Sequence, residues 1–434
     1  MTVTRPTTDP GPRAVADGHV LRVRSALTAR RTLWVTVPLL LISGFWSFYR
    51  MHGYALDLDV YRIGVQVWLA GGDMYGPLPT PQYGPPGMPF IYPVFAAITM
   101  IPLATVPYGI AFGLQFAATV LSLAVCIALS VRVAWPAGGW RGAGIVLVPA
   151  LAATLLIEPA AQTMAFGQIN MVLMALVLVD LLAPRTYWPR GMLLGIAAAI
   201  KLTPGGFVLF FLLRRDRRSA AVSVVTGAVA TGIGFLVDFD SSYRYWFVGG
   251  PAAGVSGSTF FSNETVKASL ARMDIPEPWL SVTWLVLVAI LLALAVPVIR
   301  RSEPVLAMSA TAAVILAATP TAWSHHWVWI IPALCGIGVH AARYRSWQWL
   351  TVGAVLGFIF FLAPFRWMPN QWGVVMAWTP GEQLLAASYV LPCSLTLALG
   401  CWFVTRGPGR PGGPEAAPPE ALRVPSGETA RPSA

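Results

Sequence analysis

Charge is what this 434-residue chain has least of: Asp, Glu, Lys and Arg make up 11% of it, against 56% hydrophobic residues. A water-soluble core of this length could not hide so much apolar surface, which excludes a soluble globular fold and implies an all-α integral membrane protein. Cysteine is scarce too. Cys126, Cys335, Cys393 and Cys401 lie in or beside apolar stretches without a CxxC pair or a Cys/His grouping, so neither a disulfide framework nor a zinc site is implied. The chain lacks a Walker loop, a GxGxxG followed by an acidic residue and a GxSxG elbow, so ATP-driven transport and serine hydrolysis lose their usual support. With no HExxH or carboxylate triad, no metal and no cofactor are expected. No inverted repeat of the kind transporters carry is visible.

What is present is a series of apolar runs. They are Leu33 to Tyr49, Ala111 to Val131, Gly144 to Ile157, Met171 to Ala183, Gly191 to Ile200, Gly205 to Leu213, Ala220 to Val237, Leu280 to Val298, Pro304 to Ala318, Trp327 to Val339, Leu350 to Leu362 and Leu384 to Val404. That makes about twelve transmembrane segments, several of them short. Residues 1–32 hold six arginines and no apolar core, and 405–434 are rich in Pro and Gly. Both read as disordered cytoplasmic tails around a membrane domain at 33–404. The net charge of +11 comes from arginines clustered between apolar runs, where retention on the cytoplasmic side explains them and nucleic-acid binding does not.

Placing Arg214 to Arg218, Arg300 and Arg301, Arg343 and Arg345, and Arg406 in the cytoplasm puts Asp238 to Glu277, His325-His326 and the loop around Asp57 outside. One run resists this scheme. If Phe90 to Val106 crossed the membrane, Arg132, Arg141, Arg185 and Arg190 would face outward, whereas Pro93, Pro102 and the adjoining Pro107 suit a re-entrant or interfacial hairpin that preserves the charge rule.

Polar motifs then gather on one face. Asp57 and Asp59 stand two apart, so only one of them faces a common site; solvated loop acids or caps of a helix starting near Val60 are the alternative. Phe90, Tyr92 and Phe95 suit a lipid chain or an ordinary aromatic belt. Glu158, Gln168 and Asn170 suit sugar hydroxyls or interhelical hydrogen bonds. Lys201-Leu-Thr-Pro204 breaks a helical pair with a charge that suits a phosphate, an ion pair or a snorkelling position. Trp323-Ser-His-His-Trp327 offers His325 and His326 as ligand contacts, although neighbours about 100° apart on a helix do not chelate one metal together.

Taken in order, Asp57-Leu-Asp-Val-Tyr, Phe90-Ile-Tyr-Pro, Gly167-Gln-Ile-Asn170, Lys201-Leu-Thr-Pro204 and Ser324-His-His-Trp resemble glycosyltransferase family 87, the polyprenyl-phosphate-mannose-dependent α-mannosyltransferases. Asp59 and Val94 stand where that family often has His and Pro. The resemblance implies the GT-C membrane superfold with a catalytic first outer loop in the plasma membrane. It also implies Asp57 as general base, and inverting transfer of mannose from polyprenyl-phosphate-mannose to a mannosylated phosphoinositide in α-1,2 linkage. The run Leu58 to Val65 with Gly71 to Tyr75 looks more like the α-1,2-mannosyltransferases of lipomannan and lipoarabinomannan than the enzyme that elongates phosphatidylinositol mannosides, which is the alternative within the family. On this view Asp59, Tyr92, Glu158, Gln168, Asn170, Lys201, Asn263, His325 and His326 contact substrate, with Asn263 toward the acceptor. A lipid or sugar transporter is the rival class.

Overall fold

The computed structural model describes residues 34–49, 52, 55–248, 258–371, 374–375 and 378–406; the expected tail at 1–32 and residues 407–434 lie outside them. These residues are almost wholly helical: α1 Trp34–Tyr49, α2 Leu56–Leu69, α3 Val94–Thr105, α4 Tyr108–Ala134, α5 Gly139–Thr154, α6 Glu158–Phe166, α7 Asn170–Leu182, α8 Met192–Ile200, α9 Val208–Leu213 and α10 Arg217–Val237 come first. They are followed by α11 Phe239–Phe247, α12 Val266–Ala271, α13 Trp279–Arg301, α14 Pro304–Ala318, α15 Ile330–Tyr344, α16 Trp347–Leu362, α17 Pro380–Ala386 and α18 Val390–Arg406. A two-stranded antiparallel hairpin pairs Asn370–Gln371 with Val374–Val375.

Every apolar run read from the sequence coincides with a helix or a helical pair, but their lengths change the span count. Four stretches are long and apolar enough to cross a membrane unaided: α4, α10, α13 and Trp347–Trp367. Two bent pairs bring this to six, Pro136–Thr154 with α6 at 75° and α17 with α18 at 68°. The rest are short. At about 1.5 Å per residue, α8 covers only about 14 Å, so it cannot be one of twelve complete spans. The chain is a multi-pass membrane protein in which full spans alternate with half-helices.

Helix ends sort the molecule into two faces. On one, Arg214 donates to the carbonyls of Ile299 (3.0 Å) and Ser302 (3.2 Å), Arg301 to that of Val404 (3.3 Å), and Arg343 to Glu303 (3.4 Å). Arg190 bonds the carbonyls of Asp180, Leu181 and Ala183 at the end of α7. α8 runs beside α10 in the same direction, with Gly191 against Ser219 and Gly195 against Ser223. Since α9 leads directly back into α10, α8 and α9 form a half-hairpin whose two bases share the arginine face and whose tip carries Lys201. Gly195 allows that close approach: a Cβ there would lie 2.5 Å from the Ser223 carbonyl oxygen.

The opposite face holds the polar motifs. There α3 begins with Phe95 beside Gly234 near the end of α10, and it ends where Arg62 bonds the carbonyls of Leu103 and Val106 and Gln66 that of Ala104. The start of α3 thus lies at the end of α10 remote from the Arg214 to Arg218 cluster.

Gly195→Val should therefore overpack the α8–α10 seam and destabilise the protein by about 1–3 kcal/mol, whereas Gly232→Ala, where an added Cβ meets nothing within 4 Å, should not. Thermal unfolding of the two variants in detergent separates them, and equal midpoints would contradict this packing.

Candidate functional site

Two stripes on α2 explain why its aspartates part company. Asp57 and Tyr61, four residues apart, share one stripe, whereas Asp59, Arg62 and Gln66 lie on another, with Asp59 buried against the Tyr83 loop and Arg62 and Gln66 bonded to the end of α3. The helix has no side-chain cap at its start, and these contacts hold it instead. Asp59 accepts from the backbone N–H of Tyr83 (3.2 Å), and Gly84 sits against Leu56, which fastens the Pro- and Gly-rich loop to the first turn. Burial raises the Asp59 carboxyl above its ordinary range, against the pull of the Tyr83 and Gln82 N–H groups and of Arg62. Asp59 thus binds the loop rather than the substrate position expected of it.

Asp57 meets a different set of partners. Its carboxyl is pushed well above the usual carboxylate range by burial, opposed by the charge of Lys201 and by hydrogen bonding from Gln168. Gln168 is placed by the turn between α6 and α7, where Gly167 takes the left-handed conformation (φ +66°) that suits glycine, and where Gln115 from α4 donates to the carbonyls of both residues (3.1 and 3.2 Å). Tyr61 and Tyr92 donate to Oε1 of Gln168, the latter at 3.2 Å, and their hydroxyls are 3.0 Å apart. That fixes the orientation of the Gln168 amide.

Lys201 completes the cluster from the half-hairpin tip. Its Nζ donates to Asn170 Oδ1 (3.1 Å), lies 3.2 Å from His326 Nε2 and stands 5.6 Å from the centre of the Tyr92 ring. Below it opens a cleft lined by Leu173, Pro204, Phe207, Ile315 and Trp329, with Asn170, Lys201 and His326 at its head. A charged head above an apolar channel suits an amphiphilic ligand with an anionic group.

The 3-10 turn Ser324–Trp329 that carries both histidines is clamped on several sides. Thr163 and Asn170 donate to the His325 carbonyl (3.1 and 3.0 Å), Ser324 N–H to the Ser262 carbonyl (2.8 Å), and Ser324 Oγ to Glu158 Oε1 (2.8 Å). Glu158 Oε2 accepts from Tyr389 (2.9 Å), and Arg366 stands 3.9 Å from Oε1. Glu158 therefore braces the histidine turn instead of presenting free oxygens to a sugar. The ring of His325 is buried edge-on against Phe166 while His326 turns toward Lys201, so the two adjacent imidazoles have different surroundings.

Two further expectations need correction. Asn263 is wholly buried, its amide spent on the Ser258 carbonyl (2.7 Å) and the Ala322 N–H (3.0 Å), so it clips the loop before α12 to the histidine segment and does not face an acceptor. Phe90 and Tyr92 are buried against Gly64, Tyr61 and Tyr75 and pack as core side chains, where the sequence left a lipid chain or an aromatic belt open. Tyr61, Gln115, Thr163 and Tyr389 were not singled out from the sequence. Only Tyr61 carried a signal, its spacing of four from Asp57. Among the described residues no group of three or more His, Cys, Asp or Glu is arranged to hold a metal ion.

A family model described as glycosyltransferase family 87 matches residues 90–321. The polyprenol-phosphate-mannose-dependent alpha-(1-2)-phosphatidylinositol mannoside mannosyltransferase of Mycobacterium tuberculosis is 34% identical over 386 residues, 83% of this chain and 88% of that one. The chain belongs to glycosyltransferase family 87. A relative of the same description in Mycolicibacterium smegmatis is 35% identical, covering 80% of this chain and 83% of its own. The Mycobacterium tuberculosis alpha-(1-2)-phosphatidylinositol pentamannoside mannosyltransferase is 30% identical, covering 74% and 77%. Among solved structures, ArnT from Cupriavidus metallidurans bound to undecaprenyl phosphate aligns over 85% of this chain and 77% of that chain, with a TM-score of 0.42 and 16% identity.

Removing the Glu158 brace should leave two buried hydroxyls unpartnered. Glu158→Ala should lower stability by about 2 kcal/mol or more, and Tyr389→Phe, which spares the Ser324 bond, by less. Thermal unfolding in detergent reads the order; the reverse order would show that the brace is misassigned.

Proposed function

We propose that this family 87 member transfers mannose from polyprenyl-phosphate-mannose to a mannosylated phosphoinositide glycolipid, forming an α-1,2 linkage with inversion. The observation that carries the reading is the apolar cleft whose polar lining is Asn170, Lys201 and His326, with Lys201 also acting electrostatically on Asp57. The names of the related mannosyltransferases support the donor and the acceptor class.

Donor mannose is β-linked through its anomeric carbon to a lipid phosphate. An acceptor hydroxyl attacks from the opposite face: the new C–O bond forms, the bond to phosphate breaks with its electron pair going to the phosphate, and Asp57 takes the hydroxyl proton. One displacement gives the α product, and no acid is needed for a leaving group that departs as a phosphate. Lys201 and His326 hold the phosphate as charge develops on it. The first isoprene units enter the cleft between Leu173, Phe207, Ile315 and Trp329, and Gln168 keeps the base turned toward the incoming hydroxyl. The architecture we assign is GT-C, with α2 as the catalytic outer loop. With the arginine-bearing helix ends in the cytoplasm, the site faces the extracytoplasmic side of the plasma membrane.

The test is purified protein with radiolabelled polyprenyl-phosphate-mannose and a panel of phosphatidylinositol mannosides and lipomannan. Asp57→Asn should reduce transfer by ~10²–10⁴ with folding intact, while Asp59→Asn, which keeps an acceptor for the Tyr83 N–H, should retain activity. Because the active base is the ionised form and burial raises its pKa, activity should fall on acidification with a midpoint above the ~4 of a free carboxylate. Full transfer by Asp57→Asn would overturn the assignment, and lipid movement across liposomes without sugar transfer would favour a transporter.

A further inference from the structure

Helix α11 leaves one aromatic side uncovered: Phe239 is 63% exposed, Tyr243 49% and Phe247 70%, and their spacing of four puts them on a single stripe. The stripe is not aimed at open water. Asp238, in extended backbone, both ends α10 and caps α11 by accepting from the Ser241 N–H (3.0 Å), so the chain turns a corner over one residue. The short helix folds back onto the last turn of α10, where Ser242 is buried against Gly234. Four rings then close into a cluster: Phe235 of α10 with Phe239 (5.7 Å between centroids) and Phe247 (6.3 Å), and Tyr243 with Phe239 (6.2 Å) and Phe247 (5.4 Å). Because α10 is long and apolar enough to span and begins in the Arg214 to Arg218 cluster, its last turn lies at the opposite membrane boundary. The stripe is thus continuous with the exposed apolar side of that span, which carries Val229, Ile233 and Leu236. Around α11 three sectors follow one another: Ser242 and Tyr245 meet protein, the three aromatics form the stripe, and Asp240 and Arg244 are charged.

We propose that α11 lies flat in the lipid/water interface of the leaflet opposite the arginine clusters, with its aromatic stripe among the lipid headgroups and first acyl carbons, and that it holds the end of α2 at that level. Protein on one side, hydrocarbon below and water above are the three surroundings an interfacial helix needs, and its three sectors match them. The occupant is lipid because the stripe merges with the side a spanning helix gives to hydrocarbon, and aromatic rings beside charged groups suit that boundary. Three contacts tie α11 to α2 and the loop after it. The Trp68 indole N–H, in the last turn of α2, donates to Asp238 Oδ2 (2.9 Å). Arg244 donates to Asp73 (2.5 Å), and the Tyr245 ring stands 5.9 Å from that of Tyr75, whose hydroxyl donates to the Tyr92 carbonyl (2.8 Å). The half-exposed ion pair contributes little alone, but contacts at three positions fix both the place and the direction of α2. The helix that carries Asp57 is thereby referenced to the membrane surface, whatever reaction the site performs.

Photocrosslinking of the full chain in phospholipid vesicles tests the lipid contact. Tyr243→benzoylphenylalanine and Phe247→benzoylphenylalanine should form phospholipid adducts on the α11 peptide, read by mass spectrometry, and Asp240→benzoylphenylalanine should form several-fold fewer. No adduct at positions 243 and 247, or adducts to a second copy of the chain or to another protein, would overturn the interfacial placement. Hydrogen exchange in the same vesicles tests the tie. With Phe239→Ser, Tyr243→Ser and Phe247→Ser combined, amides of residues 66–76 should exchange several-fold faster than in the unsubstituted protein, while those of α13 keep their protection and report an intact fold. Arg244→Ala, which leaves the stripe in place, should loosen residues 71–76 in the same direction and serves if the triple variant does not fold. Unchanged exchange at 66–76 in the folded variants would overturn the claim that α11 holds α2.

Discussion

A single ammonium in apolar surroundings organises this molecule. Lys201 sits at the tip of a half-hairpin, and an isolated charge there would be strongly unfavourable. It is tolerated because Asn170, His326 and the face of Tyr92 converge on it from three other elements. Each of those partners is itself held: Asn170 also bonds the His325 carbonyl, and Tyr92 bonds Tyr61 and Gln168. Satisfying one charge therefore fixes the relative positions of the α6–α7 turn, the histidine turn and the segment before α3. Helix α2 joins through Tyr61, one turn after Asp57 on the same stripe.

The half-hairpin is what permits this. A continuous helix through 191–213 would carry the chain across the bundle and leave position 201 in the middle of a span. Breaking it at Leu202–Pro204 returns the chain to the arginine face and exposes a turn at depth, whose polar groups must be met by protein. Short α8 and α9 follow from that demand, and so does the close glycine-lined seam that anchors α8 to α10.

The sequence made the helices legible because apolar runs in a membrane chain have few alternative structures, and the arginine clusters fixed which ends belong together. Motif order made the cluster of Asp57, Gln168, Asn170, Lys201 and His326 legible too. The division of labour within motifs was not readable, since it depends on which way each side chain faces. Glu158 and Asn263 have the composition of sugar ligands, and both turned out to hold the histidine turn in place. Tyr389 contributes to that brace across 231 positions of sequence, a separation at which spacing carries no information. Phe90 and Tyr92 are aromatic residues of a kind that serves equally in a core or a lipid groove, and only packing against Gly64 decides for the core.

The contrast between Asp57 and Asp59 shows how differently two neighbouring carboxyls of one helix can be partnered. Both carboxyls are on the first turn of one uncapped helix, and burial raises the proton affinity of both. What differs is the partner. Asp59 meets backbone N–H groups of its own loop, which are fixed in place and always present. Asp57 meets a side-chain amide and an ammonium that has other ligands within reach. A carboxylate bound to an immobile backbone holds a loop whatever else is bound. The helix is fastened to the loop through Asp59, and the 200° between residues two apart keeps Asp57 clear of that attachment.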